Sequence, residues 1–117
     1  AMLMREYLLN NGEAVRLEAI DEPDKRYSGA EAPLNEALAH ERYITGSIDE
    51  IYTACNEAKD YRTMQFLDWF IKEQGEEEKN AEDLLKKYEL FGSDAKGLYA
   101  LNQELAGRVY SAPSLTL

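Results

Sequence analysis

From Leu34 onward the chain repeats apolar positions at steps of four and three. Leu34, Leu38, Glu41, Thr45, Ile48, Tyr52 and Cys55 form one such seam, and Ala37, Ile44, Ile51 and Ala58 widen it. That spacing predicts a long amphipathic helix over 34–59. A second run, Leu67, Phe70, Gln74, Glu77, Ala81, Leu84, Tyr88 and Phe91, predicts another over 61–91. The two seams do not join in phase across Lys59-Asp60-Tyr61, and Asp60 is a good N-cap, so the chain should reverse there. Before this pair, residues 2–11 are apolar and helix-favouring and end at Gly12, while 12–33 carry Pro23, Gly29, Pro33 and a charged run. So long a stretch without period reads as a crossover running the length of a helical bundle. A short amphipathic helix over 97–108 carries Leu98, Leu101 and Leu105, and Pro113 closes the tail. No β alternation occurs. The expected class is all-α: a hairpin of two long antiparallel helices plus a short C-terminal helix, in a single domain over 1–117.

Composition narrows the function. The 117 residues hold 13 basic and 23 acidic side chains, a net charge of −10, with 44% hydrophobic residues. The acidic balance argues against nucleic acid, whose phosphates are bound by neutralising Lys and Arg. With a mean hydropathy of −0.56 no membrane span is expected. A single cysteine, Cys55, precludes an intrachain disulfide and a thiolate zinc cage. With no export signal in view, a cytoplasmic protein is expected. Carboxylates in this excess attract metal cations.

Three polar residues interrupt the seams: Glu41, Gln74 and Glu77. A carboxylate buried alone costs several kcal/mol, so it must be paired, protonated or bound to a metal. Glu41 lies 19 residues before Asp60 and Glu77 lies 17 after it. At about 1.5 Å per residue these are roughly 28 and 26 Å from the turn, nearly level across the hairpin. Facing carboxylates repel, and a divalent or trivalent cation relieves that repulsion. The alternative is that such residues only fix helix register. Glu73, Glu76 and Glu78 surround them, with Glu78 and Lys79 reading as a solvated face. Gly75 is unexpected in a helix and suggests a close approach or a bend. His40 falls off the seam and reads as a surface residue.

The run from Tyr61 to Phe70, followed by Glu73-Gln74-Gly75-Glu76-Glu77-Glu78, resembles the fourth bundle helix of prokaryotic non-haem ferritins. Ala39-His40-Glu41 resembles their third helix, and the stretch from Gly97 to Leu105 their short fifth. The resemblance implies oxidation of Fe(II) to Fe(III) at a carboxylate di-iron site (a ferroxidase) and storage of iron in a hollow cage. It also implies that Glu41 and Glu77 are carboxylates of the second iron site and that Gln74 lies close to the centre. Glu73 and Glu76 match an accessory third site. Iron is the implied metal, with other divalent ions as alternatives. Against the family pattern the first helix and most of the second are absent, and with them a Glu and a Glu-x-x-His pair. One chain so truncated leaves the di-iron site incomplete and the hairpin seam open. Two hairpins pairing as a homodimer, or in a higher oligomer, would complete a four-helix bundle. The competing expectation is a metal-free helical assembly or interaction module, or a ferritin fragment without ferroxidase activity.

Overall fold

A computed structural model describes all 117 residues, with four helices and no strand: α1 Met2–Asn10, α2 Glu31–Ala58, α3 Tyr61–Phe91 and α4 Ala95–Ala106. The chain divides into two compact units. One comprises Ala1–Arg26 with Ser111–Leu117, the other Tyr27–Tyr110.

In the first unit α1 ends at a glycine for a conformational reason. Gly12 takes φ 81°, in the left-handed region that favours a residue without Cβ, and Glu13 N then donates to Leu8 O at 3.0 Å. The segment that follows has no regular structure, and Leu17 and Ile20 stand in solvent.

The second unit holds α2, α3 and α4, and its centre is the α2–α3 hairpin. Two residues make the reversal. Lys59 adopts a left-handed conformation (φ 57°, ψ 31°), which lets Asp60 N donate to Cys55 O at 2.8 Å and closes α2. Asp60 then caps α3, its carboxylate accepting from Thr63 N at 3.1 Å and from the Thr63 hydroxyl at 2.5 Å. The helix α2 starts three residues before the point its periodicity indicates. Pro33 falls in its first turn, where the N–H that proline lacks has no intrahelical partner anyway. Likewise α4 starts at Ala95 and not Gly97, because Asp94 caps it by accepting from Gly97 N at 2.7 Å.

Every residue of the α2 seam, from Leu34 through Leu38, Glu41, Thr45, Ile48 and Tyr52 to Cys55, is buried or half-buried. On α3 the buried face passes through Leu67 and Gln74, with Ala81 and Tyr88 half-buried at the next heptad steps. Only Leu38, Ile48, Leu67 and Leu101 are buried apolar residues. Two packed helices cover one face of each other and leave the flanks bare, so a core this small follows from the architecture. The short helix α4 packs on α3 at closest approach through Gly97. A Cβ built there would sit 1.8 Å from Phe91 O, so only glycine fits without a shift.

Candidate metal centre

The chemistry-bearing residues lie at mid-height of the hairpin. Gln74, on α3, is 8% exposed and is the one buried polar residue. Its Nε2 donates to two atoms of Glu41 on α2: the carboxylate Oε2 at 2.7 Å and the backbone O at 2.9 Å. Glu41 itself is half-buried. One turn further along α2, the Thr45 hydroxyl lies 2.5 Å from Glu78 Oε1 and 3.1 Å from Glu41 O. On the flank, Arg42 and Glu82 form a 2.8 Å ion pair between the helices. Nearer the turn, the Tyr52 hydroxyl donates to Asp68 Oδ1 at 3.0 Å, a bond that raises the Tyr52 pKa above its usual value. These cross-links bracket the turn at residue 60 on both arms and set the register.

The sequence-predicted residues separate into three environments. Glu41 and Gln74 meet directly. Glu73 is half-buried beside Gln74, whereas Glu76 and Glu77 are exposed. The expected seam step from Gln74 to Glu77 is therefore corrected: the inward step goes to Glu78, which is half-buried on Thr45 and is not a solvated face. The cause is helical phase. Three residues turn the side chain about 60° to one side of Gln74 and four turn it about 40° to the other, so Glu77 and Glu78 diverge. No three His, Cys, Asp or Glu side chains of the chain converge into a metal cage. Gly75 is not a close approach, since a Cβ there would meet nothing within 4 Å, and α3 runs through it unbroken.

The side on which Glu77 stands has its own character. By helical phase Glu73 and Glu77 share one flank of α3 with Phe66, Trp69, Phe70, Leu84 and Phe91, while Arg42 and Glu82 occupy the other flank of the pair. Ala37, Ile44 and Ile51 of α2 lie on the same side as Glu73 and Glu77. The three aromatic rings form a cluster, with Phe66 and Phe70 5.1 Å apart and Trp69 and Phe70 4.9 Å apart, both edge-to-face. Ile51 and Phe91 are 46% and 55% exposed. Acids thus project from a partly exposed apolar flank, in which Phe66, Trp69, Phe70 and Leu84 are half-buried. Cys55 is a half-buried free thiol, and His40 is exposed and stacked on Tyr43. The contacts that periodicity alone missed are Thr45–Glu78 and the Asp94 cap. The second carried a sequence signal, an aspartate just ahead of a helical pattern.

Comparison with known proteins bears on this geometry. The family profile described as the ferritin-like domain matches residues 1–91. Bacterial non-heme ferritin from Escherichia coli is 35% identical over 101 residues, 86% of this chain and 61% of that protein. A probable bacterial non-heme ferritin-like protein from Haemophilus influenzae is 34% identical over 99 residues, 85% of this chain and 60% of its own. Among solved structures, an engineered closed form of Archaeoglobus fulgidus ferritin superposes with a TM-score of 0.90 at 34% identity, covering 94% of this chain and 67% of that one. The chain spans about three-fifths of the length of these curated relatives.

Proposed function

The chain belongs to the ferritin family, and from that premise we propose that it is an iron-binding, iron-storing protein whose substrate is Fe(II). Glu41 and Glu77 are the carboxylates that receive the ion, Gln74 stands between them, and Glu73 and Glu76 form an accessory acidic position. Hard oxygen donors suit iron, and by stabilising the higher charge they favour the ferric state. In the ferroxidase step each Fe(II) gives up one electron, and dioxygen or peroxide accepts them in pairs. Other divalent ions would bind the same oxygens without that oxidation.

The observation that carries this reading is the placement of Glu73 and Glu77 on the partly exposed apolar side of the hairpin, one turn or less from the Gln74–Glu41 contact. Water covers that side in the isolated chain. Apolar surface of this extent is unfavourable in solvent, and a second copy of the hairpin laid against it would exclude the water and bring a second set of the same acids to the same level. The assembled centre would then hold carboxylates from both copies, and an ion would offset their repulsion. The cytoplasm, where ferrous iron is available, is the compartment this function needs.

Aerobic addition of ferrous iron to the chain tests the reading. Ferric absorbance should grow faster than in buffer, and Glu41→Ala and Glu77→Ala should each abolish the excess rate. A tightly folded assembly with no rate above buffer would support the metal-free module instead.

A further inference from the structure

We propose that Asn11 is a site of spontaneous covalent modification, its side-chain amide lost through a cyclic imide that the main-chain nitrogen of Gly12 closes. Asparagine followed by glycine is the pair most open to this reaction, because glycine has no Cβ to shield its nitrogen. Asn11-Gly12 is the one such pair in the chain. Asn10, Asn35, Asn56, Asn80 and Asn102 all lie within helices, and each precedes a residue with a side chain. The way α1 ends brings the pair together: Gly12 supplies φ 81°, and Asn11, the C-cap residue, donates from Nδ2 to Tyr7 O at 2.8 Å. In the reaction Gly12 N gives its proton to solvent and bonds to Asn11 Cγ. The Cγ–Nδ2 bond breaks, and Nδ2 leaves as ammonia with a proton from water. One water then opens the imide at either carbonyl. Attack at Cγ gives aspartate, and attack at the main-chain carbonyl carbon gives isoaspartate, with the chain rerouted through Cγ.

The local structure sets both the rate and the consequence. Asn11 and Gly12 are exposed to the water the reaction consumes. While α1 is closed the ring cannot form, because Gly12 N–H is held by Leu9 O at 3.1 Å and the Asn11 amide is turned to Tyr7 O. The reaction therefore waits for the last turn to open. That opening is frequent: α1 has nine residues and buries none of them, and an isolated helix below about 12–15 residues is marginal in water. Either product replaces the Nδ2 donor with a carboxylate, which only accepts, so the bond to Tyr7 O is lost. The new charge also stands at the negative end of the helix dipole, where α1 has no basic residue in its last turn to offset it. Isoaspartate in addition lengthens the main chain by one carbon, just ahead of the bonds that Gly12 N and Glu13 N make to Leu9 O and Leu8 O. Modification thus loosens the end of α1, and it is not reversed by refolding.

The test incubates the full chain in mildly alkaline buffer, native and unfolded in urea, and follows both by peptide mass mapping and by enzymatic methylation of isoaspartate. In the native chain acid should replace amide at Asn11 and at no other asparagine, with isoaspartate among the products, several-fold more slowly than in urea. Asn11→Gln should stop the conversion, because the ring it would close is larger by one atom. An amide still intact at Asn11 of the native chain once the urea-unfolded chain has converted would overturn the proposal, as would conversion spread over the helical asparagines. The consequence is read by amide hydrogen exchange on the aged native chain and on Asn11→Asp. Protection at Gly12 and Glu13 should fall several-fold in both, and protection unchanged in both would overturn the loosening of α1. Where Asn11→Asp does not fold, the aged native chain decides alone.

Discussion

Thr45 on α2 and Glu78 on α3 are joined side chain to side chain across the hairpin, hydroxyl to carboxylate, at 2.5 Å. This bond assigns different work to two adjacent glutamates. Glu78 holds the helices in register, while Glu77 stands exposed with no part in the hairpin's packing. Glu78→Gln should lower stability by about 1 kcal/mol while leaving metal binding intact. Glu77→Gln should do the reverse, with an unchanged thermal midpoint and loss of the ferrous response. Parallel melting curves and iron titrations of the two variants measure the separation.

Gly75 occupies the middle of a 31-residue helix, is exposed and faces open space. No turn, bulge or neighbour requires it. Replacing it with alanine should stabilise the chain by about 1 kcal/mol, the ordinary difference between the two residues in a helix interior, as read by denaturant midpoint. A loss of stability would mean that the surface at Gly75 is covered in the assembled protein.

The tight turn offers two further changes. Lys59 is the one non-glycine residue with positive φ, so Lys59→Gly should stabilise by roughly 0.5–1 kcal/mol by relieving the Cβ crowding of the left-handed region. Asp60 depends on pH. The Thr63 side chain first, and then the Thr63 amide, hold its carboxyl below the ordinary aspartate value of about 3.9. A carboxylate depressed by folding contributes stability above that unfolded value and loses it as pH falls through the folded one. Asp60→Asn keeps an N-cap without a charge, so its melting curves should lose that part of the decline in strong acid while Asp60→Ala lowers the midpoint at neutral pH as well.

Gly97 lies against the end of α3, with a Cβ position 1.8 Å from Phe91 O. Backbone cannot move aside as a side chain can. Gly97→Ala should therefore displace α4, exposing Leu101 to water and reducing helicity, and circular dichroism with proteolysis between residues 92 and 97 would detect it. Gly107→Ala is the control, since its nearest atoms lie 3.5 Å and further away.

Much of this architecture was written in periodicity. The α2 seam named from Leu34 to Cys55 is the face that packs on α3, because one stripe facing one partner is what a heptad-like spacing encodes. On α3 the same reasoning failed at one step. Beyond Gln74 the sequence offers Glu76, Glu77 and Glu78 in a row, all equally polar, so periodicity carries no signal as to which turns inward. The choice falls to a residue on the other arm, Thr45, whose hydroxyl selects Glu78. The Asp94 cap escapes the periodicity for a related reason: it acts through its own hydrogen bond from Gly97 N, which no apolar pattern records. The Gln74–Glu41 contact was legible as a convergence at one level but not as a bond, since level alone does not fix which atoms meet.

Self-association carries the last expectation. The side of the hairpin that bears Glu73 and Glu77 also carries Phe66, Trp69 and Phe70, and Ile51 there is 46% exposed. Fully burying an isoleucine or phenylalanine contributes about 1.5–3 kcal/mol each, so covering this side with a second copy adds a part of that for each side chain the hairpin leaves half-buried or exposed. Ile51→Lys places a charge in that surface and should shift the chain toward monomer with partial loss of helix. Tyr43→Lys, at a position on the outer face of α2 that is 68% exposed, should leave the assembly intact. Because the acids of two copies repel at close range, a divalent cation should tighten the association and a chelator loosen it. Sedimentation velocity of the three proteins, with and without Zn2+, measures both effects. A native chain that sediments as a well-folded monomer at every concentration, indifferent to the ion, would remove the second copy from the iron site proposed above.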